Sequence, residues 1–243
     1  MNLNDVIKKI LLLMIIIFSV SCCNTGRHNR INNGASLINI KDSVFFVFRS
    51  DSISSNEESM IVAQSSGTGT TVYSSSDYSD VLTAGHVCVD YFLNFPGIAY
   101  DYKLIDFYGN ERPAELLAID IQSDLCLLRV YTESVSVPFS TSEMISGMPV
   151  RYSGYPMGLY MPDSLHHFSG HYSGTDRTGF SMYSLAVTGG SSGSAILNDD
   201  GEIVGMVSSV TEDFAHLVIG PGIERIKKFI FLSSTCEKYC VPK

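Results

Sequence analysis

The sequence predicts an all-β protein, a sandwich or barrel of many short strands with one helix near its C-terminal end. Strand-like runs of apolar and β-branched residues recur at close spacing, bounded by turn clusters such as Ser74-Ser75-Ser76-Asp77 and Asn198-Asp199-Asp200-Gly201. Tyr and Phe number 13 each, Trp is absent, and Ser, Thr, Val and Gly recur, a mix that favours strands and turns over helices. The length of 243 residues fits one domain of about 200 residues, or two small β lobes sharing a core, and 45% hydrophobic content is ample to fill it.

The first residues stand apart from the fold. Lys8 and Lys9 precede the apolar run Ile10 to Phe18, followed by Ser19-Val20-Ser21-Cys22-Cys23. A short basic region, an apolar run too short to span a bilayer comfortably and small residues before a Cys make an export signal, assigned to residues 1–22. Its ending resembles a bacterial lipoprotein signal. Ser21 then precedes the lipidated residue, Cys22 carries the lipid, and Ser19 stands where such signals usually have Leu. An ordinary cleaved signal and an uncleaved short anchor are the other readings. Residues 23–40 contain the polar, Asn-rich stretch Asn24 to Asn39 and read as a tether. The expected location is the cell envelope, held at the membrane by a lipid or the apolar segment, or else the periplasm or the medium.

The folded part is expected over 41–232, with a tail at 233–243. It opens with the strand Ser43 to Phe48. Further strands are expected at Met60 to Gln64, Gly69 to Tyr73, Val81 to Thr83, Lys103 to Phe107, Ala114 to Ile119, Leu125 to Val130 and Pro149 to Ser153. Five more follow at His166 to His171, Phe180 to Val187, Ser194 to Leu197, Ile203 to Val210 and Leu217 to Ile219. Gly222 to Leu232 is the helical pattern, with Ile223, Ile226, Phe229 and Ile230 on one face.

Charge and cysteine content exclude some functions. Charged residues make up 17% and the formal net charge is −9, which argues against nucleic acid as a partner, since phosphate binding wants a Lys/Arg surplus. The six cysteines are Cys22, Cys23, Cys88, Cys126, Cys236 and Cys240. No C-x-x-C pair and no His-rich cluster suggests a zinc site. An exported chain permits disulfides. Cys236 and Cys240 are close enough to bridge or to sit on one helical face, Cys88 and Cys126 read as small buried residues, and the pairing of all four stays open.

Three segments carry candidate chemistry. Val81 to Cys88 ends an apolar strand in small residues and delivers His86 at its tip. Ser123 to Val130 places Asp124 just before a strongly apolar strand. Gly189-Gly190-Ser191-Ser192-Gly193-Ser194-Ala195 surrounds adjacent serines with glycine. Each alone reads as structure: a satisfied histidine, a turn aspartate, a Gly/Ser turn. Together they hold what serine nucleophilic catalysis needs: a hydroxyl, a base to take its proton, a carboxylate to orient the base, and main-chain N–H groups for an oxyanion. Their order is His, Asp, Ser, unlike the Ser, Asp, His of α/β-hydrolases.

TAGHV, SDLCLLRV and GGSSGSA resemble the three signature segments of the trypsin-like (chymotrypsin-fold) serine proteases, in the bacterial style of the high-temperature-requirement proteases and glutamyl endopeptidases. Ser66-Gly67-Thr68-Gly69-Thr70 resembles the family's strand before the His, and Ser153-Gly154-Tyr155-Pro156-Met157-Gly158 its G-x-P-x-G segment. The resemblance implies two six-stranded antiparallel β-barrels with a C-terminal helix and a site in the cleft between them. It implies Ser192 as nucleophile, His86 as general base and acid, Asp124 as orienter, and the Gly190 and Ser192 N–H groups as oxyanion hole. Asp120 is a nearby rival, but Asp124 directly precedes the DLCLL strand, as in the family. The chemistry implied is hydrolysis of proteins or peptides without cofactor or metal.

Departures from the family are informative. Ser191 stands where vertebrate-type relatives carry an Asp that pairs with a newly cut N-terminus, so activation by that route is not expected. Val187 and Val207 occupy the positions where many glutamyl endopeptidases have Thr and His, and Ala186 carries no Asp, so neither Glu nor Arg/Lys specificity is expected. Ser208, Ser209 and Val210 are expected to form the strand beside the substrate, with Val210 narrowing the pocket toward a small or medium apolar residue. The competing reading is an inactive protease-fold protein that binds peptides or an envelope partner.

Overall fold

The computed structural model describes residues 40–55, 58–90, 98–211 and 214–239. The export segment, Cys22, the tether up to Asn39 and Cys240, hence any Cys236–Cys240 bridge, lie outside the described residues.

Six strands close the first barrel: β1 (Val44–Ser55), β2 (Glu58–Ser74), β3 (Ser79–Ala84), β4 (Ile98–Ile105), β5 (Glu111–Asp120) and β6 (Leu125–Val130). Their order around the barrel is β1-β2-β3-β6-β5-β4, every neighbouring pair antiparallel. Two expected strands, Met60 to Gln64 and Gly69 to Tyr73, are one continuous β2. β1 explains the merger, because it pairs with β2 from Val44↔Thr70 to Ser55↔Glu58 and carries the ladder across the Ser/Gly stretch between them. β3 is buried along its whole length. It ends in α1 (Gly85–Cys88), so His86 sits on a four-residue helix just beyond the strand. Val47, Val81, Leu104, Leu125, Leu128 and Val130 fill this barrel with aliphatic side chains. At about 25 cal/mol per Å² of apolar area removed from water, such burial is its main source of stability.

The second lobe is a sheet of β7 (Pro149–Gly154), β8 (His166–Thr175), β9 (Phe180–Ser184), β10 (Ala195–Leu197), β11 (Ile203–Met206), β12 (Ser209–Thr211) and β13 (Phe214–Pro221). Its order is β11-β10-β7-β8-β9-β13-β12. Seven strands replace the expected six because the run Ile203 to Val210 divides in two. At the break, Val207 accepts from Gly193 N (2.8 Å) and donates to Ser194 O (2.9 Å), bonds that tie it to the Gly/Ser segment. Only Val207 and Ser208 separate β11 from β12, the opposite edges of the sheet, so the sheet curls until its edges approach. This core is rich in tyrosine. Tyr152 stacks on Phe168 (centroids 4.9 Å apart) and Tyr172 leans on Tyr183 (5.7 Å). The hydroxyls are satisfied: Tyr152 donates to Ala186 O (2.8 Å) and Tyr183 to Val204 O (3.2 Å).

The helix α2 (Ile223–Tyr239) runs beyond the expected Leu232. Ile226 and Phe229 are buried, with Ile223 and Ile230 packed beside them, as the 3–4 spacing requires.

Candidate active site

Each functional segment is held differently. β3 leads straight into α1, so burial of the strand fixes where the helix starts. Asp124 sits between the β5–β6 turn and β6 with φ 53°, a left-handed conformation that Asp tolerates better than most residues. Asp120, the rival carboxylate, is spent within that turn, accepting from Gln122 N (3.0 Å) and Ser123 N (3.2 Å).

His86 and Asp124 are brought together. His86 Nδ1 lies 2.9 Å from Asp124 Oδ2 and 3.1 Å from Oδ1, and His86 N donates to Oδ1 at 2.8 Å. Ser208 Oγ also donates to Asp124 Oδ2. Burial pushes the Asp124 carboxyl upward, but the bonds and charge of His86 and the bond from Ser208 outweigh it and hold the pKa below the ordinary carboxylate value. The His86 side chain is 39% exposed and that of Asp124 16%, so the imidazole is open to solvent while the carboxylate is shielded.

Ser192 joins through Ser208. Its Oγ donates to Ser208 O at 3.4 Å, and among the described residues no hydrogen bond links it to the His86 ring. Gly67 separates the two segments. A Cβ there would come within 2.6 Å of Val87 Cγ2, next to His86, and 2.9 Å of Ser192 O.

Glycine is indispensable at two positions of the Ser192 segment. Gly190 has φ 84°, and Ser191 N donates to Thr188 O at 3.0 Å, which makes residues 188–191 a turn with the left-handed residue third, as in type II. A Cβ at Gly190 would lie 2.5 Å from Tyr155 O and 2.6 Å from Gly158 N. Gly193 has φ 87°, and a Cβ there would collide with Thr68 O and Thr83 Oγ1. Gly189 O accepts from Met157 N. In a planar trans peptide the N–H lies on the edge opposite the C=O, so the Gly190 N–H faces away from Met157. Among the described residues, neither the Gly190 nor the Ser192 N–H donates to a protein acceptor.

Thr68 ties this turn to the first barrel. It is fully buried; its N donates to Ser192 O (2.8 Å), its Oγ1 donates to Gly190 O (2.9 Å), and Tyr155 N donates to that Oγ1 (3.0 Å). Ser191 turns inward, fully buried, with Oγ 3.3 Å from Tyr152 Oη.

The expected substrate-side residues fall on both sides of this turn. Ala186 is exposed, and Val187 is half-buried against the second core. Val207 is buried in that core, Ser209 is exposed, and Val210 is 40% exposed. Among the described residues no three His, Cys, Asp or Glu side chains are placed to hold a metal ion.

Sequence reasoning missed four contributors: the hydroxyl of Ser208, Thr68, Tyr152, and a disulfide. Cys88 and Cys126, both fully buried, are bonded to each other. One lies two residues after His86 and the other two residues after Asp124, a parallel that was readable in the sequence. Thr68 likewise stood out between two glycines.

The sequence pattern of the trypsin-like peptidase domain matches residues 67–206. No curated protein matches the chain in sequence. Among solved structures, the serine endoprotease from Yersinia pestis is similar, with a TM-score of 0.64 and 20% sequence identity. That likeness covers 83% of this chain and 66% of the Yersinia chain, so this chain spans just under two thirds of its length. The barrel, the second sheet and the C-terminal helix thus make the chymotrypsin-like fold. The match over residues 67–206 takes in the segments of His86, Asp124 and Ser192 alike, and the chain belongs to the trypsin-like peptidase family of serine proteases.

Proposed function

We propose that this protein is an exported serine endopeptidase that works through His86, Asp124 and Ser192. The single observation that carries the reading is the convergence of a bonded His86–Asp124 pair and the Ser192 hydroxyl on one residue, Ser208, beside two main-chain N–H groups that have no protein acceptor among the described residues. In the proposed reaction Ser192 Oγ attacks the peptide carbonyl carbon and His86 Nε2 takes its proton. Asp124 holds Nδ1–H and stabilises the imidazolium. The carbonyl electrons move to an oxyanion that the Gly190 and Ser192 N–H groups receive. Collapse expels the amine, which takes the proton from His86 and leaves an acyl-Ser192 ester. Water, deprotonated by His86, then hydrolyses that ester and restores the hydroxyl.

Extended peptide is the fitting substrate. Among the described residues β12 pairs with β13 alone and forms an edge of its sheet, so an added strand can bond along Ser208 to Val210. The half-buried Val187 and the partly exposed Val210 suit a small or medium apolar side chain at the cleaved position. The Cys88–Cys126 bond supports export, because disulfides persist in oxidising compartments. Anchoring through Cys22 is part of the same proposal.

The second reading, an inactive peptide-binding relative, draws on the Ser192 hydroxyl bonding Ser208 O rather than the His86 ring. A fluorophosphonate probe separates the two. It should label the purified mature domain and spare Ser192→Ala, which should also lose at least about 10³-fold in peptide hydrolysis. Absent labelling, or labelling that persists in the variant, rejects the endopeptidase.

A further inference from the structure

Arg49 and Asp51 on β1 are charged yet sealed, with 2% and 0% of their surface exposed. They form an ion pair: Nε lies 2.7 Å from Oδ1 without hydrogen-bond alignment, and the second guanidinium nitrogen, Nη2, donates to Oδ2 at 3.0 Å. Such a pair is an unusual occupant of an aliphatic barrel. Removing two charges from water costs several kcal/mol each, and well-packed apolar residues of similar volume often serve stability as well or better. Stability alone therefore accounts poorly for the pair.

Its third guanidinium nitrogen supplies another reason. Arg49 Nη1 donates to His86 O at 3.3 Å and to Val87 O at 3.2 Å. β4 adds a second donor from the strand next door. Tyr102, the residue paired with Arg49 across the ladder, donates its hydroxyl to Cys88 O at 2.8 Å. Burial pushes the Tyr102 phenol up to about 12, so it remains a donor at ordinary pH. Gly85 O accepts from Val89 N at 3.1 Å. Every carbonyl of α1 thus has a partner, and two of the four are met by one guanidinium. A helix this short cannot hold its own geometry, and its C-terminal end favours positive charge. Asp51 holds the guanidinium by the Nη2 bond and by the charge beside Nε, which aims the third nitrogen.

We infer that Arg49, oriented by Asp51 and assisted by Tyr102, is a positioning residue that sets His86 from behind by clamping the carbonyls of α1. The inference rests on His86 acting as the base. The clamp touches neither substrate nor imidazole, so its loss should lower kcat and leave KM nearly unchanged.

The test is the paired variant Arg49→Met/Asp51→Leu, which removes both charges together and leaves no orphan ion. It should fold, lower its melting temperature by no more than several degrees because two α1 carbonyls lose their donor, and lose on the order of tenfold to a hundredfold in kcat with KM within about twofold. Fluorophosphonate labelling should slow in parallel. The control is Arg129→Met/Asp80→Leu, which removes a second ion pair of the same barrel, between β6 and β3, with distances of 2.8 and 3.0 Å. It should leave kcat within about twofold of wild type, since that pair does not touch α1. A folded Arg49→Met/Asp51→Leu protein with wild-type kcat overturns the inference, as does an equal loss in the control. Should the first variant fail to fold, Arg49→Lys and Tyr102→Phe decide, each expected to lower kcat but not KM, and unchanged kcat in both again overturns it. A wild-type protein that neither cleaves peptide nor takes the probe refutes the endopeptidase reading instead, so the two failures are distinct.

Discussion

The two lobes hold their share of the site by opposite means. The first must place two side chains, and it anchors their carriers with side-chain devices: a disulfide, a buried guanidinium and a phenol, all bearing on α1 or on the strand after Asp124. The second must present a hydroxyl beside main-chain N–H groups, and it uses the main chain itself: two left-handed glycines, a turn closed from Thr188 to Ser191, and carbonyls tied to Thr68 and Met157. An imidazole has freedom about its own torsions, so its base must be fixed from several directions. A peptide N–H has no freedom beyond φ and ψ, so conformation is the whole device.

The difference can be tested lobe by lobe. The largest effect should come from Cys88→Ala/Cys126→Ala or from reduction. A bridge spanning 38 residues is worth about 4 kcal/mol on the loop-entropy account. Hydrogen exchange should then quicken in β3, α1 and β6 while β7 and β10 keep their protection. Equal loosening of both lobes would show that they are not held independently. Next is Gly190→Val. It should cost about 3 kcal/mol of transition-state stabilisation, read in kcat/KM, by displacing one of the two proposed oxyanion donors, with little change in first-lobe exchange. Activity near wild type would remove the main-chain device from the second lobe.

The smallest effect is electrostatic and belongs to the first lobe alone. The Asp124 pKa is depressed in the fold despite burial, so the stability contributed by its bonds is present above the unfolded carboxylate value and drains away as pH falls through the lower folded value. Melting temperature measured from neutral into acid should decline less steeply for Asp124→Asn than for wild type. An unchanged slope would mean that the carboxylate is not stabilised as its contacts require.

Much of the fold was legible because strand runs and turn clusters are local, and the candidate site because His86, Asp124 and Ser192 lie in compact motifs. What escaped reading depends on pairing across distance. β2 continues through its Ser/Gly stretch because β1 lies beside it along its full length. The run Ile203 to Val210 breaks because Gly193 and Ser194 claim the backbone of Val207. Arg49 and Asp51 follow the apolar start of β1, where alternation suggests only a strand leaving the core. Nothing local marks the carbonyls of residues 86 and 87 as their partners. Ser208 was read for its main chain, and its hydroxyl gained meaning only when Asp124 came within reach.

The enclosure of the Arg49–Asp51 pair reaches beyond stability. Lys103 and Glu111, 3.7 Å apart and more than half exposed, attract each other through electrolyte that screens them over about 10 Å at 0.1 M salt. No counterion reaches Arg49. A clamp built this way works alike in dilute and briny surroundings, whereas one assembled from exposed charges would weaken as salt rises.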